Sequence, residues 1–169
     1  MSGTRPSGRP VVEGPAAIVT QEVAHIDKKG CLNLLPRWTA KLSWLAPLDN
    51  STEALLIFLR PGRISIRDLA TYAPRIRERY NEIAADVQQA SLDLLRLLQD
   101  RYGQLYIPKS RRVSLGDPAL LHLQVERGVI TPIYVAVFPG SIDLLSVAYR
   151  NEQLMEIQSE LEDLPFIVS

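Results

Sequence analysis

A short pattern of turn and strand residues occurs twice in this chain, and the duplication narrows its possible folds more than anything else in it. Placing Asp27 on Asp100 also places Gly30 on Gly103 and Leu32 on Leu105, an offset of 73 residues. Asp caps a turn backbone and Gly supplies positive φ, so Asp-x-x-Gly reads as a tight turn leading into a strand. In each copy the strand after the turn ends at a proline. Pro36 and Pro108 depart from the offset by one residue, so the first copy carries an insertion. Each copy reads strand, Asp-x-x-Gly turn, strand, proline, short helix, strand, turn, strand. Two such copies in 169 residues predict two related halves sharing one core.

The rest of the chain follows from the period of its apolar residues. Residues 1–17 are rich in Gly and Pro, with Arg5 and Arg9 between, and read as a flexible arm. Ile18–Ile26 and Cys31–Leu35 read as strands about the first turn. After Pro36, Arg37–Leu42 suits a short helical turn, with Trp38 and Trp44 bracketing it. One of these tryptophans is expected in the core. Leu55–Leu59 and Arg63–Ile66 flank a Pro61-Gly62 turn. From Asp68 the period changes. Ile76, Tyr80, Ile83, Val87, Ala90, Leu94 and Leu97 recur every three or four residues, which predicts an amphipathic helix starting near Pro74. In the second copy Gln104–Pro108 reads as a strand, Lys109–Leu115 as a short helix closed by Gly116, and Leu120–Val125 and Val129–Val137 as strands about Arg127-Gly128. Ala148–Glu162 reads as a final helix. The expected units are therefore 1–17, an arm; 18–67, the first β-rich half; 68–98, a helical connection; 99–147, the second half; and 148–169, a helix and tail. The class is α+β.

Several functions find no support in the sequence. No apolar run approaches the ~20 residues that span a bilayer, and the N-terminal stretch has no apolar core of the secretory kind. One cysteine, Cys31, permits no internal disulfide. The cytoplasm is the expected compartment. No Gly-rich phosphate loop, Gly-x-Ser-x-Gly turn or paired catalytic carboxylate is present, so no enzyme and no cofactor are expected. His25, His122 and Cys31 lie too far apart in sequence to suggest a metal site.

The net charge is zero but unevenly distributed. Residues 101–112 hold Arg101, Lys109, Arg111 and Arg112 with no acid, whereas residues 142–169 hold six acids against Arg150. A basic face on a neutral chain gains strength when several subunits align it.

Asp-x-x-Gly-x-Leu-x-Ile-Pro followed by a short basic helix resembles the swapped-hairpin AbrB class of DNA-binding proteins. Two copies joined by helix resemble the MraZ family within that class. The resemblance covers about residues 18–150 and is clearer in the second copy. It implies two hairpin units interlocked about a pseudo-two-fold axis. It also implies a transcriptional regulator that binds DNA as a homo-oligomeric ring, located with the nucleoid. The family pattern places arginine directly after the turn glycine, and the 73-residue alignment puts Cys31 and Gln104 there. Gln can hydrogen-bond a base edge, while Cys cannot replace the fork of a guanidinium. The DNA-contacting residues implied are Lys28, Lys29, Arg37 and Lys41 in the first copy and Arg101, Gln104, Lys109, Arg111 and Arg112 in the second. The alternative for this basic set is a solvated surface. The protein would then be a ring-forming scaffold or an adaptor that binds a partner protein, antitoxin-like proteins included.

Overall fold

The computed structural model describes residues 20–45, 49–85 and 89–162. The arm at 1–17, the strand start at Ile18, and Val87 and Asp163 lie outside them. The chain is α+β. Its elements run β1 (Thr20–Ile26), β2 (Cys31–Asn33), α1 (Pro36–Thr39), β3 (Thr52–Phe58), β4 (Arg63–Asp68), α2 (Leu69–Ala84), α3 (Gln89–Arg101), β5 (Tyr102–Ile107), β6 (Arg112–Ser114), α4 (Gly116–His122), β7 (Thr131–Phe138), β8 (Ser141–Ser146) and α5 (Val147–Glu162).

Six strands form one antiparallel sheet in the order β1-β7-β8-β4-β3-β5, and β2 and β6 form a separate antiparallel ribbon. Exchanging β1 with β5, β3 with β7 and β4 with β8 reverses the six-strand order and leaves it otherwise unchanged. The first strand of each half pairs with the third strand of the other. Thr20–Ile26 runs against Val137–Thr131, and Thr52–Ile57 against Ile107–Tyr102. In the ribbon, Leu32 faces Val113 and both are fully buried, so the relating axis passes between them.

That symmetry corrects the register of the repeat. The apolar stripe of α3 does not stop at Leu97 but continues through Leu98 to Arg101, whose cation suits a helix C-terminus. Asp100 and Arg101 are therefore helical, and Tyr102 and Gly103 belong to β5 rather than to a turn. The second turn lies at 108–111. There the Arg111 amide donates to the Pro108 carbonyl at 2.9 Å, as the Gly30 amide does to the Asp27 carbonyl at 3.0 Å. Gly30 and Arg111, 81 residues apart, both have positive φ, at 78° and 67°. The Leu34 amide donates to the Arg111 carbonyl at 2.8 Å, and the Leu115 amide to the Gly30 carbonyl at 3.1 Å, closing the ribbon at both ends.

Three further expectations change. Lys109–Leu115 is turn and strand, and the helix begins only at Gly116, where φ of +80° redirects the chain. Leu120–Val125 is the end of α4 and the loop after it, with Leu120 reaching the core from the helix and Leu123 from its C-cap. The single helix expected across 74–97 is two helices. The first starts at Leu69, capped by the Asp68 carboxylate on the Ala70 amide at 3.3 Å, with Pro74 well inside it. Its symmetry mate α5 starts just as β8 ends, where the Ser146 hydroxyl accepts from the Tyr149 amide at 3.1 Å.

One face of the sheet makes the core. Ile64, Ile66, Leu105, Ile107, Ile133, Val135, Ile142 and Leu144 alternate inward and pack with Leu32 and Val113 of the ribbon and Trp38 and Leu120 of the short helices. Trp38 is the buried tryptophan, and its indole N–H donates to Glu22 at 2.8 Å. Trp44 is only partly buried, with its N–H on the Gly140 carbonyl at 3.3 Å. The opposite face of the sheet carries α2 and α5, while α3 runs straight into β5 and shares a groove with α4 and Phe58. No helix among the described residues is long and apolar enough to cross a membrane.

A basic ribbon as the candidate functional site

The two-stranded ribbon lies over the core with one face packed and one face open. Period-two alternation buries Leu32 and Val113 and turns Cys31, Asn33, Arg112 and Ser114 outward. Cys31 stands opposite Ser114, and Asn33 opposite Arg112. A tight turn flanks each end. The first carries Lys28 and Lys29, the second Lys109 and Arg111. The lysines are exposed and form no ion pair among the described residues.

Asp27 organises this face. Its Oδ1 accepts the amides of Lys29 at 2.9 Å and Cys31 at 3.0 Å, and its Oδ2 accepts Arg112 Nη2 at 2.7 Å. The Cys31 amide does most to hold its carboxyl below the ordinary value, with smaller help from the Lys29 amide and the charges of Arg112 and Lys29. Arg112 is thus held extended over the open face, although half exposed. Arg111 lies flatter and is half-buried, with Nε on Thr39 Oγ1 at 3.3 Å.

The nine residues expected to contact DNA divide clearly. Lys28, Lys29, Lys109, Arg111 and Arg112 come together on the ribbon and its turns. Lys41 is exposed just after α1. Arg37 is spent on Glu22, whose carboxylate accepts Nε at 3.0 Å and also Nη2, and that pairing raises the pKa of the guanidinium. Arg101 lies at the end of α3 beside Leu97 and Leu121, in a groove between α3 and α4. Gln104 lies in β5 opposite Leu55 and borders the space under α2, on the helix-bearing face of the sheet. Neither belongs to the ribbon. In the corrected register, the positions directly after the two turns are Cys31 and Arg112, so the second half carries an arginine there.

Sequence reasoning missed Arg127. Its Nη1 donates to the Lys29 carbonyl at 3.1 Å, and its Nε to Asp117 at 2.8 Å. With the Gly128 amide on the Lys28 carbonyl at 3.0 Å, it clamps the 123–130 loop onto the first basic turn. Its only sequence signal was the Arg-Gly pair, which reads as an ordinary turn.

His122 serves the fold, while His25 is exposed on β1. His122 Nε2–H is shared between the carbonyls of Arg60 and Arg63, both at 3.0 Å, and the ring meets Phe58 edge-on. Among the described residues, no group of three or more His, Cys, Asp or Glu lies close enough to hold a metal. No protein-family model matches this chain, and no curated protein matches it significantly, so the functional reading rests on the residues described above.

Proposed function

We propose that the protein is a MraZ-like or AbrB-like DNA-binding transcriptional regulator that acts as a homo-oligomer in the cytoplasm, at the nucleoid. One observation carries this reading. A single exposed two-stranded ribbon bears basic turns at both ends, Lys28 and Lys29 at one and Lys109 and Arg111 at the other, with Arg112 between. A two-stranded β-ribbon fits the B-DNA major groove, where flanking lysines reach phosphates and outward side chains reach base edges. Arg112 and Asn33, side by side on the open face, are the base-reading pair, and the lysines anchor phosphates. The crossing of β1 and β5 into opposite halves supports the swapped-hairpin arrangement. The two ends of the ribbon are unequal, since Cys31 occupies the place that Arg112 holds in the other half.

The homo-oligomer reading draws on the helices. Leu92 and Leu97 of α3, Leu121 of α4, and Met155 and Leu161 of α5 are all exposed, an unusual apolar area for a lone subunit. The same area favours a second reading, in which the protein is a scaffold or adaptor for another protein and the basic ribbon is only a solvated face. Binding to labelled DNA from the protein's own upstream region, against unrelated DNA at two salt concentrations with assembly mass measured in parallel, separates the two. Preferential binding that weakens steeply with salt supports the regulator. A well-formed oligomer that binds neither DNA at low salt overturns it in favour of the scaffold.

A further inference from the structure

Helix α5 does not rest directly on the sheet along its length. Arg150, Gln153, Leu154 and Ile157 recur at three- and four-residue spacing and form its sheet-facing stripe. Beneath them the outward residues of β1, β7 and β8 include Gln21, Ala136 and Asp143, which are register neighbours in one row across the three strands. The row is low, with an alanine at its centre. Between stripe and row lies a cavity of about 370 Å3, continuing to Arg63, Phe138 and Leu145. Helix–sheet contacts normally interlock to near-crystalline density, so a gap of this size under a helix is a place for a guest. The volume falls within the ~300–1,000 Å3 of ordinary small-molecule sites.

The charges of the cavity select the guest. Asp143, nearly fully buried, is taken by Arg63, which donates Nη2 at 2.6 Å and Nε at 3.0 Å to the same carboxylate oxygen. That leaves Arg150 as the cation in excess. Its guanidinium lies over the Tyr134 ring, 5.3 Å from the centroid, and its Nε is buried with no hydrogen-bond partner among the described residues. A buried donor without a partner is costly, and more so when it carries charge.

The symmetry-related space under α2 gives an internal comparison. It has a similar volume, about 330 Å3, and is walled by Leu69, Ala73, Ile76 and Tyr80; because α2 starts at Leu69 and α5 at Val147, the residues equivalent to Arg150 and Gln153 are Tyr72 and Arg75, and neither lines it. The two halves therefore differ at equivalent helix positions, and among the described residues only the α5 side sets an arginine with a buried, unpartnered Nε beside apolar walls.

We propose that this cavity binds a small amphipathic monoanion, a carboxylate with an apolar tail of medium length. Its carboxylate pairs with Arg150 and Gln153, and its tail lies over Ala136 against Phe138, Leu154 and Ile157. The site lies on the helix-bearing face, away from the ribbon, so it stands independently of DNA binding. The guest bridges α5 to the sheet and tightens the helix.

The experiment is calorimetric titration of the purified full chain with octanoate, with octylamine (same tail, opposite charge) and with acetate (same charge, no tail). Exchange of backbone amides in 147–162 is followed alongside. Octanoate is expected to bind saturably and to slow exchange in α5 at least tenfold, with octylamine and acetate each at least tenfold weaker. Arg150→Gln is expected to weaken octanoate at least tenfold while the melting temperature is kept. Ala136→Leu, which fills the floor and leaves every charge in place, is expected to do the same. The proposal fails if octanoate shows no saturable binding up to millimolar concentration. It fails equally if octylamine binds as well as octanoate, or if a folded Arg150→Gln or Ala136→Leu protein binds octanoate unchanged.

Discussion

The two ribbon turns share one backbone conformation but not one residue type, and that difference predicts unequal responses to substitution. Gly30 has φ of +78°, and a Cβ placed on it would meet Leu120 Cδ1 at 2.9 Å. In Gly30→Ala the left-handed backbone costs about 1–2 kcal/mol. Displacing Leu120, only 2% exposed, adds about 1–3 kcal/mol of overpacking. The lower entropy of the unfolded alanine chain returns about 0.5–1 kcal/mol. The net expectation is a loss of about 2–3 kcal/mol. Arg111→Gly runs the other way. Relief of its φ of +67° contributes about 1–2 kcal/mol. Against this stand about 0.5–1 kcal/mol of glycine entropy and about 0.5–1.5 kcal/mol for the hydrogen bond to Thr39. The sum lies within about 1.5 kcal/mol of zero. Urea unfolding of both variants, with midpoints compared at a common slope, reads the difference directly. If Gly30→Ala proves neutral while Arg111→Gly loses more than about 2 kcal/mol, the turns are not equivalent and the symmetry argument fails.

Three further outcomes are expected. Replacing Lys28 and Lys29 together by alanine should lower the slope of log affinity for DNA against log salt by about 2 units, measured by fluorescence anisotropy, at ~0.9 per lost phosphate contact. Asp143→Asn should cost roughly 3 kcal/mol in chemical unfolding, near the lower end for breaking a buried pair because Arg63 retains 30% exposure, and adding Arg63→Met should recover much of the loss. Because the folded pKa of Asp27 lies below its ordinary value of 3.8, its ionised form favours the folded state. That stabilisation is complete above the ordinary value and disappears as pH falls through the lowered one. The stability gap between the native chain and Asp27→Asn should therefore be constant near neutral pH and shrink below about pH 4, as read from urea midpoints across pH.

Much of the fold was legible because its signals were local. Pro61-Gly62 marked the hairpin between β3 and β4, and the β-branched alternation around Ile64 and Ile133 marked inward faces. The stripe of Leu154 and Ile157 marked α5 within a residue of its start. The existence of two copies was legible as well, but their register was not. Matching Asp and Gly drew the second turn to Asp100–Gly103, where a helix passes into a strand without a break. The true second turn has Pro108 where the first has Asp27, and Arg111 where the first has Gly30, so turn chemistry pointed away from it. The apolar correspondences Ile26 with Ile107, Leu32 with Val113, and Leu34 with Leu115 carry the correct alignment. Strand interiors keep their side-chain type because the core constrains them, whereas a turn accepts several residue types at one conformation. The same slip placed Gln104 and Arg101 in the candidate site and hid the equivalence of Arg112 with Cys31. Lys109, Arg111 and Arg112 lie together on the second turn and the ribbon, as their proximity in sequence requires. Arg37 looked free because its acid, Glu22, lies 15 residues away on β1.

The exchange of first strands makes this chain behave as a dimer whose partners are tied together. Neither half owns a complete set of strands, since among the described residues β1 pairs as a strand only with β7, and β5 only with β3. Pairing that elsewhere depends on protein concentration here depends on the reach of the α2–α3 connection, which fixes an effective concentration that dilution cannot lower. Covalent linkage also frees the two halves to diverge, because a substitution on one side is no longer copied to the other. An arginine can then stand at one end of the ribbon and a cysteine at the other, an asymmetry that no pair of identical subunits could hold.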